Sequence, residues 1–271
     1  MPLTLPLSLA NILPMMDGSP TLDLSGHLAT LTLRRPALRN SLNDDDLNTL
    51  LAHFDVINAN PEVHVVVLRA DTQGQKSPVF SAGYHVGGFD NDPMAPLFFE
   101  KIPDALERLR PVTVCALNGS VYGGATDLVL ACDFRVAQQG LHWRMPACAL
   151  GLHYYPSGLR RYVSRFGLNA SKRAFLLGQS LSFDELAKLD LFEALVTAEA
   201  FETGLATLTD SLLAMSPLAL QATKKSLNEI GAGLYCEPVL KERSRQSVHS
   251  ADFAEGRAAF AERRTPRFTG R

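Results

Sequence analysis

Val112-Thr113-Val114-Cys115-Ala116-Leu117, running directly into Asn118-Gly119-Ser120-Val121-Tyr122-Gly123-Gly124-Ala125-Thr126-Asp127-Leu128, is the stretch that decides the fold. Its first half is a near-continuous apolar and β-branched run, the pattern of a strand covered on both faces in a parallel sheet. The glycine pair then turns the chain, and Ala125 to Ala131 has helical character. The first amides of such a helix lack intrahelical acceptors and carry the positive end of its dipole. A second segment, Phe80-Ser81-Ala82-Gly83-Tyr84-His85, lies downstream of another buried-strand run, Val63 to Leu68. Gly83 and the Gly123-Gly124 pair remove side chains where a ligand could approach the main chain. Facing each other, the two segments would form an oxyanion hole, which stabilises negative charge developing on a carbonyl oxygen.

Outward from these segments the pattern stays α/β. Thr21 to Leu24 and His27 to Leu33 alternate around Ser25-Gly26 and read as a hairpin. Ser41 is the expected N-cap of a helix with Asp44, Asp45 and Asp46 in its first turn, Leu47, Leu50, Leu51, Phe54 and Ile57 on one face, and Asn60-Pro61 as its end. Strand and helix alternate to about Ala137, which predicts βαβ units. After about Ser157 the chain reads as helical, with segments Ala170 to Leu177, Phe183 to Leu189, Ala200 to Ala214, Pro217 to Ile230 and Glu237 to Arg263. No internal repeat or low-complexity linker breaks the chain.

The 271 residues can bury a substantial core, and 46% apolar with 20% charged residues is ordinary globular composition. A net charge of −2 gives no general attraction to nucleic acid or to an anionic membrane. Cys115, Cys132, Cys148 and Cys236 lack metal-ligand spacing and are expected as buried free thiols of a reducing compartment. Met1 to Met16 is apolar but lacks a basic n-region and carries Pro2, Pro6 and Pro14, so it reads as an irregular lead-in rather than a signal or a span. A cytoplasmic location is the expectation.

The two glycine segments, together with Leu33-Arg34-Arg35-Pro36, Asn40-Ser41-Leu42, Ala131-Cys132-Asp133, Leu150-Gly151, Gly158, Arg161, Ser216-Pro217-Leu218-Ala219 with Lys224, and Asp252 to Phe268, carry a resemblance. The chain resembles the crotonase, or enoyl-CoA hydratase/isomerase, superfamily over nearly its whole length. The resemblance implies an α/β crotonase fold: a twisted sheet core of repeated ββα units with a helical C-terminal region that mediates trimer formation. The expected division is an irregular lead-in over 1–18, a crotonase core over 19–200, and a helical region over 201–271 for trimerisation and CoA contact. A homotrimer or dimer of trimers is expected, the rows Leu212, Leu213, Met215 and Leu218, Leu220, Leu227 being more apolar surface than one sheet domain covers.

By the same resemblance the oxyanion donors are the backbone N–H groups of Tyr84 and Gly124, and the substrate is an acyl-CoA thioester held as its enolate. No cofactor beyond the CoA of the substrate is implied, and no nucleic acid or membrane partner. Hydratases of the family use two glutamates; here those positions are Asp127 and Ala147. Alanine transfers no proton, so the two-glutamate mechanism is not intact. Asp127 either acts as a base or ties local hydrogen bonds at the site wall. Local similarity to the methylmalonyl-CoA decarboxylase branch rests on Ser120 to Ala125 and on Tyr154, which follows Gly151 by three residues, while the histidine of that branch falls on Tyr84 here, with His85 one place later. Ser81, Ala82 and Gly83 would line the CoA site, with Arg35, Arg39 and Arg263 or Arg264 for its phosphates. The loop from Phe89 to Phe99 is expected at the acyl pocket. Arg160, Arg161, Arg165, Lys172 and Arg173 form a basic cluster, read as a helix face in salt bridges. The reaction expected is a decarboxylase-like lyase step; the alternatives are an Asp127-based hydratase or isomerase, and a non-catalytic CoA- or RNA-binding homologue.

Overall fold

The computed structural model describes residues 18–85 and 98–271; the lead-in Met1 to Met16 and nearly all of the loop expected at the acyl pocket lie outside the described residues. The expected hairpin is present as β1 (Thr21–Ser25) and β2 (Leu28–Leu33), antiparallel around Gly26 with its φ of 57°. Helix α1 (Asp44–Ala59) follows, and here the expected cap is corrected. Asn43, not Ser41, is the N-cap, and its side chain and that of Asp46 each accept the other residue's backbone N–H. The reason is local: Leu42 donates its N–H to the Gly83 carbonyl, so the chain there is still extended and the helix starts later.

The next elements are β3 (Val65–Ala70), β4 (Val79–Ser81), α2 (Lys101–Glu107), β5 (Val112–Leu117), β6 (Ser120–Tyr122), α3 (Ala125–Ala131), β7 (Phe134–Gln138), β8 (His142–Arg144) and α4 (Pro156–Leu176). Three successive ββα units are therefore stacked along the chain. Short strand β9 (Leu181–Ser182), helix α5 (Phe183–Ala187) and strand β10 (Ala194–Val196) come next, then helices α6 (Phe201–Leu213), α7 (Pro217–Gly231), α8 (Glu237–Val248) and α9 (Ala251–Glu262). The first strand of each unit joins a six-stranded sheet of order β1-β2-β3-β5-β7-β10, parallel from β2 onward. The second joins a smaller sheet of order β4-β6-β8-β9.

Side-chain alternation sends the strands of the large sheet into two cores. Val66, Leu68, Cys115, Leu117 and Ala137 face the main core with α1, α3 and α4. Val65, Val67, Val112, Val114, Ala116 and Val136 face the other side, where Phe201, Leu205 and Leu212 of α6 cover them. Helix α7 is tied to the same sheet by Lys224, whose Nζ lies 2.7 Å from Asp133 Oδ2 and donates to the Pro111 carbonyl at 2.7 Å. Asp133 in turn accepts from the backbone N–H and hydroxyl of Thr113.

Three helical expectations change. The segment expected as one helix over Glu237 to Arg263 is two, because Ser250 leaves helical geometry and accepts the Phe253 N–H as a fresh N-cap. The helix expected from Ala170 begins at Pro156 and carries Gly167 with φ 69°, which breaks its regular path. The region after Ser157 also holds β9 and β10. Of the four free thiols, Cys115 and Cys132 are buried as expected, whereas Cys148 and Cys236 are exposed. Among the described residues no helix is long and apolar enough to cross a membrane.

Candidate active site

The two glycine segments meet backbone to backbone. Gly83 sits at φ 89°, and a Cβ there would lie 2.8 Å from the Tyr122 carbonyl oxygen and 2.9 Å from the Gly124 nitrogen. Only glycine permits both that dihedral and that approach. The adjacent strands β4 and β6 pair in parallel and bring the segments side by side. The first segment is further pinned at its edge: Ser81 Oγ donates to the Asn40 carbonyl and accepts the Gly83 N–H, and Leu42 bridges Tyr84. Ser81 and Gly83 are buried, and Ala82 is half-buried between them.

Gly124 is the residue preceding α3, and among the described residues no acceptor faces its N–H. Phe99 lies over it, a Cβ at Gly124 falling 2.7 Å from the Phe99 ring. The Tyr84 ring packs near Phe99 with centroids 5.8 Å apart, and the Tyr84 hydroxyl bonds to Asp44. The apolar surface next to the junction is thus made by Tyr84 and Phe99. His85 is exposed, with its backbone N–H bound to the Leu42 carbonyl.

Asp127 does not present an open carboxylate. It is fully buried, and Arg161 of α4 grips it with Nε to Oδ1 at 2.8 Å and Nη2 to Oδ2 at 2.7 Å. Tyr155 donates its hydroxyl to the same carboxylate at 2.7 Å, and Tyr154 donates to the Tyr155 hydroxyl at 2.8 Å. The remaining nitrogen of Arg161, Nη1, bonds Asp104 at 2.8 Å and Glu107 at 3.2 Å on α2. Arg160 also pairs with Glu107, and Arg108 lies 3.7 Å from Asp104. Three guanidinium groups therefore face three carboxylates, and the expected salt-bridged reading of the basic cluster holds for Arg160 and Arg161. Burial disfavours the Arg161 charge, but the hydrogen bonds and charge of Asp127, with Glu107 and Asp104, outweigh it and hold the guanidinium above its ordinary range. Burial, then the charge of Asp127, pushes the Tyr154 and Tyr155 hydroxyls well up, so both remain protonated.

Tyr154 is thus 6% exposed and stacked on Tyr155 at 4.1 Å, with its hydroxyl hydrogen directed at its neighbour. Ala147 lies buried in the short 3-10 turn Ala147–Leu150 and carries no side-chain acid or base. Among the expected phosphate ligands, Arg35 is bound to Asp46 at 3.0 Å and Arg264 to Glu255 and Glu262. Arg39 and Arg263 are exposed, each in left-handed conformation at a turn. Sequence reading did not assign roles to Tyr155, Asp104 or Glu107, whereas Phe99, the last residue of the loop expected at the acyl pocket, stands over Gly124. The acidic pair Asp104 and Glu107, one turn apart on an apolar helix, was the available signal for a partner to a buried arginine.

Comparison with known proteins gives the family and the fold. The family model described as enoyl-CoA hydratase/isomerase matches residues 23–271. The chain is 26% identical to the 2,3-dehydroadipyl-CoA hydratase of Escherichia coli over 246 residues, covering 89% of this chain and 94% of that one. It is also 26% identical to the mitochondrial enoyl-CoA hydratase domain-containing protein 2 of Bos taurus over 259 residues, 90% and 84% of the two chains. An enoyl-CoA hydratase/carnithine racemase structure from Magnetospirillum magneticum superposes with a TM-score of 0.83 at 25% identity, covering 94% of this chain and 97% of that one. With a matching fold and a family model over residues 23–271, the chain belongs to the enoyl-CoA hydratase/isomerase family of crotonase-fold enzymes.

Proposed function

We propose that this protein binds an acyl-CoA thioester and stabilises its enolate between the backbone N–H groups of Tyr84 and Gly124. The observation that carries the reading is the meeting of Gly83 with Gly124, closer than any side chain would allow. Two amides there would polarise the thioester carbonyl, and each such donor contributes on the order of 10²–10³ in turnover. The chemistry beside the enolate follows from the acids and bases at hand. Asp127 is neutralised by Arg161, and position 147 has no carboxylate. Hydration ordinarily shares its proton transfers between two carboxylates of opposite protonation state. A step that needs carbonyl polarisation without a strong base suits this site better: decarboxylation of a malonyl-type thioester, in which the C–C bond to the free carboxylate breaks, its electron pair becomes the enolate, CO2 leaves and the thioester stays intact. An open route by which Asp127 could act as a hydratase base is not supported by its closed ion pair.

The test is turnover of a small panel containing crotonyl-CoA and malonyl-type thioesters by the wild type and by Gly83→Ala. The variant forces a methyl between the two segments, and turnover should fall about 10²-fold or more, the worth of one misplaced donor. Near wild-type turnover by Gly83→Ala would remove the two-amide reading. Efficient hydration of crotonyl-CoA would remove the lyase reading and leave the amides in place.

We also propose a homotrimeric assembly through the helical C-terminal region. Its support is the apolar surface left on α7 to α9: Leu227 and Ile230 are exposed, and Leu234 and Phe260 are 80% and 88% exposed.

A further inference from the structure

The Gly123–Gly124 peptide is held from behind by a buried chain of hydrogen bonds that the reaction chemistry does not use. The Gly123 carbonyl accepts two of them, from the Thr126 backbone N–H at 3.0 Å and from Thr126 Oγ1 at 2.6 Å. Thr126 Oγ1 accepts from the Tyr162 hydroxyl at 2.6 Å, and Tyr162 accepts from Trp143 Nε1 at 3.0 Å. Thr126, Tyr162 and Trp143 are all fully buried.

The direction of this chain is fixed chemically. An indole nitrogen only donates, so the Tyr162 oxygen must accept and its hydrogen is available for Thr126. The Thr126 hydroxyl, having accepted, gives its own hydrogen to the carbonyl. No cis peptide occurs among the described residues, so the Gly123 C=O and the Gly124 N–H point in opposite directions across one rigid plane. Anchoring the oxygen on the α3 side therefore aims the N–H away from that helix, towards the junction with Gly83. Donors on a carbonyl also polarise the amide it belongs to, and successive bonds in a low-dielectric interior strengthen one another.

We propose that Thr126, Tyr162 and Trp143 are positioning residues that aim and strengthen the Gly124 amide as an oxyanion donor. The proposal rests on the two-amide reading above and extends it to three core side chains with no contact to the acyl-CoA itself. Without this relay the glycine pair would be the most rotatable backbone in the site, since Gly123 sits at φ 57° with no side chain to hold it.

The experiment uses the purified full chain with 2,4-hexadienoyl-CoA, a thioester whose ultraviolet absorption moves to longer wavelength as its carbonyl oxygen is polarised. Thr126→Val keeps the shape of the side chain and removes the donor to Gly123. It should shrink the red shift on binding and lower kcat on the best panel thioester about tenfold with KM nearly unchanged, less than the loss of a direct donor. Thr126→Ser should restore both. Tyr162→Phe leaves the Thr126 hydroxyl free to keep its bond and should fall between the two. A full red shift and an unchanged kcat in Thr126→Val, or failure of Thr126→Ser to recover what valine loses, would overturn the relay. Gly83→Ala separates the two levels of the argument: if it retains the red shift, the two-amide reading itself fails. If it loses the shift while Thr126→Val keeps it, only the relay fails.

Discussion

Replacing Asp127 with asparagine tests what that carboxylate is for. The change removes the charge but keeps an oxygen for the Tyr155 hydroxyl, so the cost is concentrated on Arg161. That guanidinium is 1% exposed, and Asp127 satisfies its Nε and Nη2 together. Removing one partner of a buried pair typically costs about 3–5 kcal/mol, because the other charge is left in low dielectric. Asp104 and Glu107 still hold Nη1, which places the expectation at the low end, about 3 kcal/mol. For a chain of this size about 2 °C of melting temperature accompanies each kcal/mol, so Asp127→Asn should melt roughly 6 °C lower. The assay is a thermal melt followed by circular dichroism beside turnover on the thioester panel. Turnover measured well below the melt should fall far less than for Gly83→Ala. A melting temperature within about 1 °C of wild type, coupled to a loss of turnover on the order of 10²-fold or more, would refute the anchoring argument and make Asp127 a proton-transfer group.

Two further expectations concern the whole molecule. His53 is held below its ordinary pKa by burial, against the opposing bond of its Nε2 to the Pro20 carbonyl, and His64 is lowered by burial and by the neighbouring His27. The unfolded chain therefore takes up more protons, so stability is lost as pH falls below about 6.5 and levels out beneath the folded-state values. His53→Gln should flatten that slope in denaturant titrations between pH 7.5 and 5, and an unchanged slope would exclude His53 as its source. Light scattering at micromolar concentration should give a trimer or a multiple of it; a monomer mass would show that the exposed apolar face of α7 to α9 has another use.

What the sequence made legible followed from pattern length. The run Val112–Leu117 and the hairpin before Leu33 are long enough for their periods to show, and both strands stand where expected. The small sheet was not legible, because β4, β6, β8 and β9 are only two or three residues long and no period can be read in them. The glycine segments could be paired in advance through the family resemblance, since glycine by itself serves a tight turn as readily as a close backbone approach. The state of Asp127 could not, since its partner lies 34 residues further along the chain and nothing local distinguishes an open acid from a clamped one. Tyr154 shows the same limit. Its position after Gly151 is a sequence fact, but the direction of its hydroxyl is set by Tyr155 and, through it, by Asp127.

The second core, between the large sheet and α6, has a consequence for the chain as a folding unit. Val65, Val67, Val112, Val114, Ala116 and Val136 come from strands spread across the first half of the sequence, yet their cover comes from Phe201, Leu205 and Leu212. A polypeptide released after residue 200 would have all its strands and the two glycine segments, but one whole side of its sheet would be a bare valine surface. During synthesis that surface waits for α6 to emerge, and Lys224 of α7 then locks onto Asp133 at the edge of the same layer. The segment that closes the sheet is thus made after every strand it covers, and the second core is complete only once the helical region has emerged.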